Sequence, residues 1–357
     1  MMIFDHAVQA QNLTKEALNA FALFTKTRDI KQLELARKNI DEAYKTPKDS
    51  LSAKNNLIRA LVYSTLSAVD SNRTLSYQKD PLEDASESFS KIIHNSKINA
   101  DYEAELEFIK NQLSWAYLSE AKNALSYSNF EDAENAFSLV DSLSGGDLHI
   151  YHNLAILNER LGNPQKTIVY YKKLIEMQPQ PEYFFSLSDI YNVTGNKEAA
   201  LHILQQGRNL YPDDRDLVFK EINYFADRHD YRNVIRLLPN AIRIDEHNIA
   251  LNYLAGFSYE TLGNIAKAEE HYEKVLNSDP NNFDGNYALG LLYLNLYAND
   301  QVKKQYIYTA LQHISKANEI DQNHLKALQT LAIIYEYSGD FIQLQRVNNK
   351  INQIKLN

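Results

Sequence analysis

The chain has 357 residues, more than one hydrophobic core ordinarily serves, so it either divides into domains or enlarges its core by repetition. It is 44% hydrophobic and 23% charged, and 10 Gly with 8 Pro leave little material for sheets or long linkers, so helices are expected. Lys and Arg total 37 against 46 Asp and Glu with no basic cluster, which argues against nucleic acid as a partner; the absence of Cys excludes disulfides, a thiol nucleophile and Cys-ligated zinc.

Residues 1–11, "MMIFDHAVQAQ", read as an N-terminal tail. They lack the basic start and apolar run of a signal peptide, yet "VQAQ", Val8 to Gln11, resembles the small-residue end of a cleavage site. The tail is therefore read as the remnant of a signal peptide or as a plain polar extension. With the low Gly content and abundant Asn and Tyr, this start slightly favours an exported, periplasmic bacterial protein over a cytoplasmic one. No stretch approaches the ~18 apolar residues of a membrane span.

Residues 12–146 alternate between two kinds of segment. Leu13 to Phe24, Leu51 to Val69 and Tyr102 to Ser126 are apolar at helical spacing, and each is followed by a shorter amphipathic run: Asp29 to Pro47, Pro81 to Ile93 and Asn129 to Val140. Residues 147–357 make the periodicity explicit. In "LAGFSYETLGNIAKAEEHYEKVLNSDPNN" the landmarks are the small pair Ala255 and Gly256, Tyr259, the turn Gly263-Asn264, Ala268, Tyr272 and Asp279-Pro280. The same series runs from Leu154-Ala155 through Gly162-Asn163, Tyr171 and Pro179, and from Leu187-Ser188 through Tyr191, Gly195-Asn196, Ala200 and Pro212. Further copies open at Leu289-Gly290 and Leu331-Ala332, separated by an insertion near residues 294–309. Asp216 to Asn248 is a weaker copy with Asp230-Tyr231 at its turn and no clear small residue.

Leu254, Phe257, Tyr259 and Leu262 make one apolar helix face, and a Gly-Asn turn stops that helix. Ala255, Gly256, Ala268 and Gly290 admit close helix approach, and Pro280 prevents continuation. One such pair cannot bury its own apolar face, so neighbours must stack.

This series resembles the tetratricopeptide repeat (TPR), in which an aromatic, a Leu-Gly pair, Tyr, Ala, a second aromatic and a closing Pro recur over 34 residues. The resemblance covers Asp147 to Ile354 clearly; the shorter runs in 12–146 resemble second helices of degenerate repeats. It implies an all-α, right-handed superhelix of about eight or nine antiparallel helix pairs. It also implies that the first helix of each pair lines a concave groove.

Chemistry-bearing patterns are few. His149 and His152 share a helix face but lack a near third ligand, and no HExxH is present. "DPNNFDGN", Asp279 to Asn286, has Phe283 where a calcium loop needs an oxygen and reads as an inter-repeat turn. No phosphate-binding glycine motif or nucleophile elbow occurs. The expectation is a non-enzymatic protein without metal or cofactor.

The resemblance implies that residues three before and one after the small residue face the groove. The first position reads His152, Phe185, Phe219, Tyr253, Tyr287 and Gln329; the second reads Ile156, Asp189, Asn223, Phe257, Leu291 and Ile333. The candidate partner-binding residues are Phe185, Asp189, Phe219, Asn223, Tyr253, Phe257, Tyr287 and Leu291, where a merely soluble wall would be polar. Packing against neighbouring first helices is the competing explanation of the aromatics. The inward aromatics and acidic balance do not fit the cationic clamp by which some TPR proteins hold acidic chaperone tails. The expected function is an adaptor that binds a protein or peptide segment; a self-assembling structural component or a small-ligand-binding periplasmic protein is the alternative.

Overall fold

The two parts of the chain use one device: a helix runs to a left-handed turn residue, reverses, and returns as a second helix packed on the first. The computed structural model describes residues 2–246, 248–300 and 302–356; Met1 of the expected tail and Gln301 of the expected insertion lie outside the described residues. The chain divides into two compact units, Met1–Pro179 and Gln180–Asn357. Among the described residues there is no strand, and no helix is long and apolar enough to cross a membrane.

The first unit contains α1 (Met2–Thr27), α2 (Ile30–Glu42), α3 (Pro47–Ser50), α4 (Ala53–Val69), α5 (Pro81–Ser90), α6 (Ser96–Asp101), α7 (Glu103–Ser126), α8 (Phe130–Ser144), α9 (Leu148–Arg160) and α10 (Pro164–Met177). Helices α1–α2, α4–α5, α7–α8 and α9–α10 pair, with α3 and α6 as short connectors. The runs read as degenerate second helices fall on α2, α5 and α8. Their shared core includes Phe24, Leu33, Ile40, Leu57, Phe89, Ile109, Leu113 and Phe137, all buried.

The second unit contains α11 (Pro181–Val193), α12 (Lys197–Leu210), α13 (Arg215–Ala226), α14 (Tyr231–Ile244), α15 (Ile249–Thr261), α16 (Ile265–Ser278), α17 (Phe283–Asn299), α18 (Gln305–Ile320), α19 (Leu325–Ser338) and α20 (Phe341–Leu356). These form five successive pairs, each second helix also packing on the next first helix. The expected eight or nine pairs are therefore nine among the described residues. The insertion lengthens α17 and its connection to α18; Leu294 and Tyr297 on the added turns are buried with Ile307 and Ala310.

Turn chemistry repeats in six of the nine pairs among the described residues. Gly162, Gly195, Gly263 and Gly339 have φ of 72°, 80°, 78° and 75°, a conformation that costs a side-chain-bearing residue free energy. After each, an N–H reaches back five residues, as from Asn264 to the Tyr259 carbonyl at 2.8 Å. Ser128 and His229 hold the same place at φ 58° and 56°, with Asn129 to Ala124 at 2.8 Å and Asp230 to Phe225 at 3.0 Å. The weak copies thus keep the turn geometry without its glycine.

Inter-repeat turns end in caps. Asp214, Asn248 and Asn282 accept the N–H groups of Leu217, Leu251 and Gly285 at 3.0, 3.1 and 2.9 Å. In the calcium-like stretch, Asp279 accepts the Asn281 N–H at 3.1 Å, so its carboxylate and the Asn282 amide both shape a turn. Within pairs, a Cβ on Gly256 would stand 2.5 Å from the Tyr272 ring, and one on Gly290 would collide with Ile314. Tyr272 is fully buried in the space this leaves, and burying an apolar ring of that size contributes ~2 kcal/mol.

Candidate interaction surface

The first helices of the second unit present a row of aromatics. Phe185 on α11, Phe219 on α13, Tyr253 on α15 and Tyr287 on α17 recur at 34-residue intervals, and each is half-buried. One turn farther along, Asp189 and Leu291 are half-buried while Asn223 and Phe257 are exposed, Phe257 at 41%.

Several of these side chains bridge successive first helices. Lys220 of α13 places its ammonium 3.5 Å from the centre of the Phe185 ring and pairs with Asp189 of α11. Arg215 lies 4.8 Å over the Phe219 ring. Tyr287 stacks on Phe283 at 5.7 Å, meets His324 edge-on at 5.8 Å, and has its hydroxyl 3.4 Å from that of Thr330 on α19. Others turn toward second helices: Tyr253 packs 5.7 Å from Tyr272 on α16, and Phe257 meets Tyr231 of α14 edge-on at 5.4 Å.

Packing and exposure therefore divide the row, since each ring is seated on one side and open on the other. Burial raises the Tyr253 hydroxyl above the ordinary tyrosine range, and the Asp284 carboxylate, Glu260 and Tyr287 push it in the same direction. Lys220, Asp189 and Glu260 are already committed. Asp189 and Lys220 neutralise one another, and Glu260 accepts the Tyr272 hydroxyl at 2.8 Å.

Two recesses open between α11 and α13. One, of about 310 Å³, has Phe185 and Ser186 beside Glu182, Asp214 and Asp216. The other, of about 380 Å³, is lined by Asn192, Lys197, Lys220, Asn223, Tyr224 and Arg228 among others. The carboxylates of the first recess escape a reading that follows only two positions per repeat. Their sequence signal is that Glu182, Asp216 and Asp284 each stand three residues before an aromatic of the row.

In the first unit, His149 and His152 are both exposed on α9, and the His149 carbonyl accepts the Asn153 amide at 2.8 Å. Among the described residues no group of three His, Cys, Asp or Glu side chains is arranged to hold a metal ion.

A sequence model described as tetratricopeptide repeat matches residues 148–181 and 249–282, the α9–α10 and α15–α16 pairs. With six helix pairs sharing one turn geometry among the described residues, this decides the family. The chain is a tetratricopeptide repeat protein. No curated protein sequence matches this TPR chain. Among solved structures, the C-terminal part of a TPR repeat-containing protein from Cytophaga hutchinsonii is similar at 17% identity and a TM-score of 0.51, covering 66% of this chain and 93% of that one. That likeness extends to the fold. YrrB, described as a TPR protein with an unusual peptide-binding site, matches at 19% identity and a TM-score of 0.43, covering 55% of this chain and 98% of that one. MamA from Desulfovibrio magneticus RS-1 matches at 19% identity and 0.39, covering 50% and 98%.

Proposed function

We propose that this TPR protein is a non-enzymatic interaction scaffold and that the first helices of its second unit hold a polypeptide segment of a partner. The observation that carries this reading is the row Phe185, Phe219, Tyr253 and Tyr287. Four aromatics at one repeat position are each only half-buried, beside the exposed Phe257. Such rings supply large, rigid contact area that gains free energy when a guest removes it from water. Asn223 and Leu291 flank the row with a polar and an apolar contact, and Asp189 bounds it through its pair with Lys220.

A test uses cross-linked capture from the source organism's extract, comparing wild type with Phe219→Ala/Tyr253→Ala/Tyr287→Ala. Circular dichroism must first show the variant folded, because Phe219 also packs on the α13–α14 core. Proteins held by the wild type and lost with the variant support the row as the site. Equal capture by both removes the site from this row.

A further inference from the structure

The 34-residue register that places the aromatics also places charge. Three residues before Phe185, Phe219 and Tyr287 stand Glu182, Asp216 and Asp284, all exposed; Ala250 takes the position before Tyr253, and Lys326 takes it on α19. Acidic residues in a first helical turn favour the helix N-terminus, which accounts for their presence singly. Their placement has a further consequence. Glu182 and Asp216, with the capping Asp214, border the same recess as the Phe185 ring. The Asp284 carboxylate is close enough to Tyr253 to act on its hydroxyl.

Cations near the row do not cancel these carboxylates. Lys220 is paired with Asp189, and Arg215 pairs with Asp245 at 3.2 Å. The opposite margin of the α11–α13 interval differs in sign, for with Lys220 paired to Asp189 its recess still holds Lys197 and Arg228 against the single carboxylate Asp227. One edge is therefore acidic, the middle aromatic and the other edge locally cationic. A cation beside an aromatic face with carboxylates at its rim is bound by both charge attraction and the ring quadrupole.

We infer that the guest of this surface is a basic amphipathic polypeptide segment, its Lys or Arg side chains entering along Glu182, Asp216 and Asp284 and its apolar side chains lying on the aromatic row. This rests on the proposed function and names the class of partner. Successive cationic contacts are confined to α11, α13 and α17, since α15 offers Ala250 and α19 offers Lys326.

The test is fluorescence anisotropy with three synthetic probes of one length and one leucine pattern, carrying Lys, Gln or Glu at the polar positions. Wild type is compared with Glu182→Gln/Asp216→Asn/Asp284→Asn. A control, Glu246→Gln/Glu273→Gln/Glu319→Gln, removes equal charge from other exposed sites of the same unit. The expected result is tightest binding of the Lys probe, weakened about tenfold by the groove variant, weakened further by salt, and little changed by the control. Equal weakening by both variants, or a preference for the Glu probe, overturns the inference. If the Gln probe binds as well as the Lys probe and Tyr253→Ala/Tyr287→Ala abolishes both, the aromatic row stands and its charge selectivity fails. If wild type binds no probe, both the row and the inference fail.

Discussion

Tyr272 donates its hydroxyl hydrogen to Glu260 at 2.8 Å across the α15–α16 pair, and Tyr171 makes the same bond to Glu159 at 3.0 Å across α9–α10. The bond stitches the far end of each first helix to the middle of its partner. Burial raises the Glu260 carboxyl above its ordinary range, and the Tyr272 bond offsets only part of that rise. Replacement of Tyr272 by Phe therefore leaves a half-buried carboxylate without its donor and should cost ~1 kcal/mol near neutral pH. A raised folded-state value favours the protonated form, so the carboxyl's stabilising contribution is complete below its unfolded value and declines as pH rises. The deficit of Tyr272→Phe should accordingly shrink in acid; denaturant titrations at both pH values measure it, and a deficit independent of pH contradicts this account.

Ser128→Gly and His229→Gly should each raise stability by ~1 kcal/mol, because both residues occupy a left-handed turn that a Cβ disfavours. His229 also places Nδ1 3.0 Å from the Tyr231 hydroxyl, so its gain should be the smaller. Gly263→Ala, at φ 78°, should act in the opposite direction. Chemical denaturation of the three variants reads the signs directly; a loss with Ser128→Gly would mean that the serine makes up for the strain by a route the turn geometry does not reveal.

These turns show what was legible in the sequence. Gly162, Gly195, Gly263 and Gly339 announce the turns because glycine is the residue that takes this backbone without penalty, so their period set the helix pairs. Gly256 and Gly290 likewise announced close helix approach, since Tyr272 and Ile314 occupy the space a Cβ would need. Ser128 and His229 carry no such signal, for they follow the geometry without preferring it, and the pairs they belong to read as degenerate. The candidate interaction surface was legible as a row of residue types. Its ion pairs, such as Lys220 with Asp189 across two helices, depend on which side chains the stacking brings together.

Two half-buried histidines should make the α15–α18 region acid-sensitive. His271 stacks on Tyr259 at 5.6 Å with Nδ1 3.1 Å from the Asn252 amide oxygen; His313 stands 3.2 Å from the equivalent oxygen of Asn286. Burial lowers both below the ordinary histidine value, and Lys274 and Lys267 add to this at His271 while Glu270 opposes it. A folded-state value below the unfolded one means the stability is complete above about pH 6.5 and is lost as pH falls through that value toward the folded one. Thermal unfolding should therefore show wild type losing more between neutrality and about pH 5 than His271→Gln/His313→Gln, by roughly 2–4 °C. Parallel losses in the two proteins would place the acid sensitivity elsewhere.

Glu221 explains why the α13–α14 copy reads as weak. It occupies the packing position that Ala255 holds in the next repeat, is fully buried, and pairs with Arg208 of α12 while Gln205 donates to it at 3.2 Å. A charge at an interface position breaks the apolar pattern that marks a repeat, yet the paired ion fills the same place between helices. Removing one partner leaves a buried charge uncompensated, so Arg208→Ala should cost ~3 kcal/mol. Arg208→Met/Glu221→Leu replaces the pair with apolar side chains and should recover most of that loss, because two desolvated charges hold the interface little better than packed methylenes. Urea unfolding of the single and double variants forms the cycle. A double variant as unstable as Arg208→Ala would show that the α12–α13 interface requires the ions themselves.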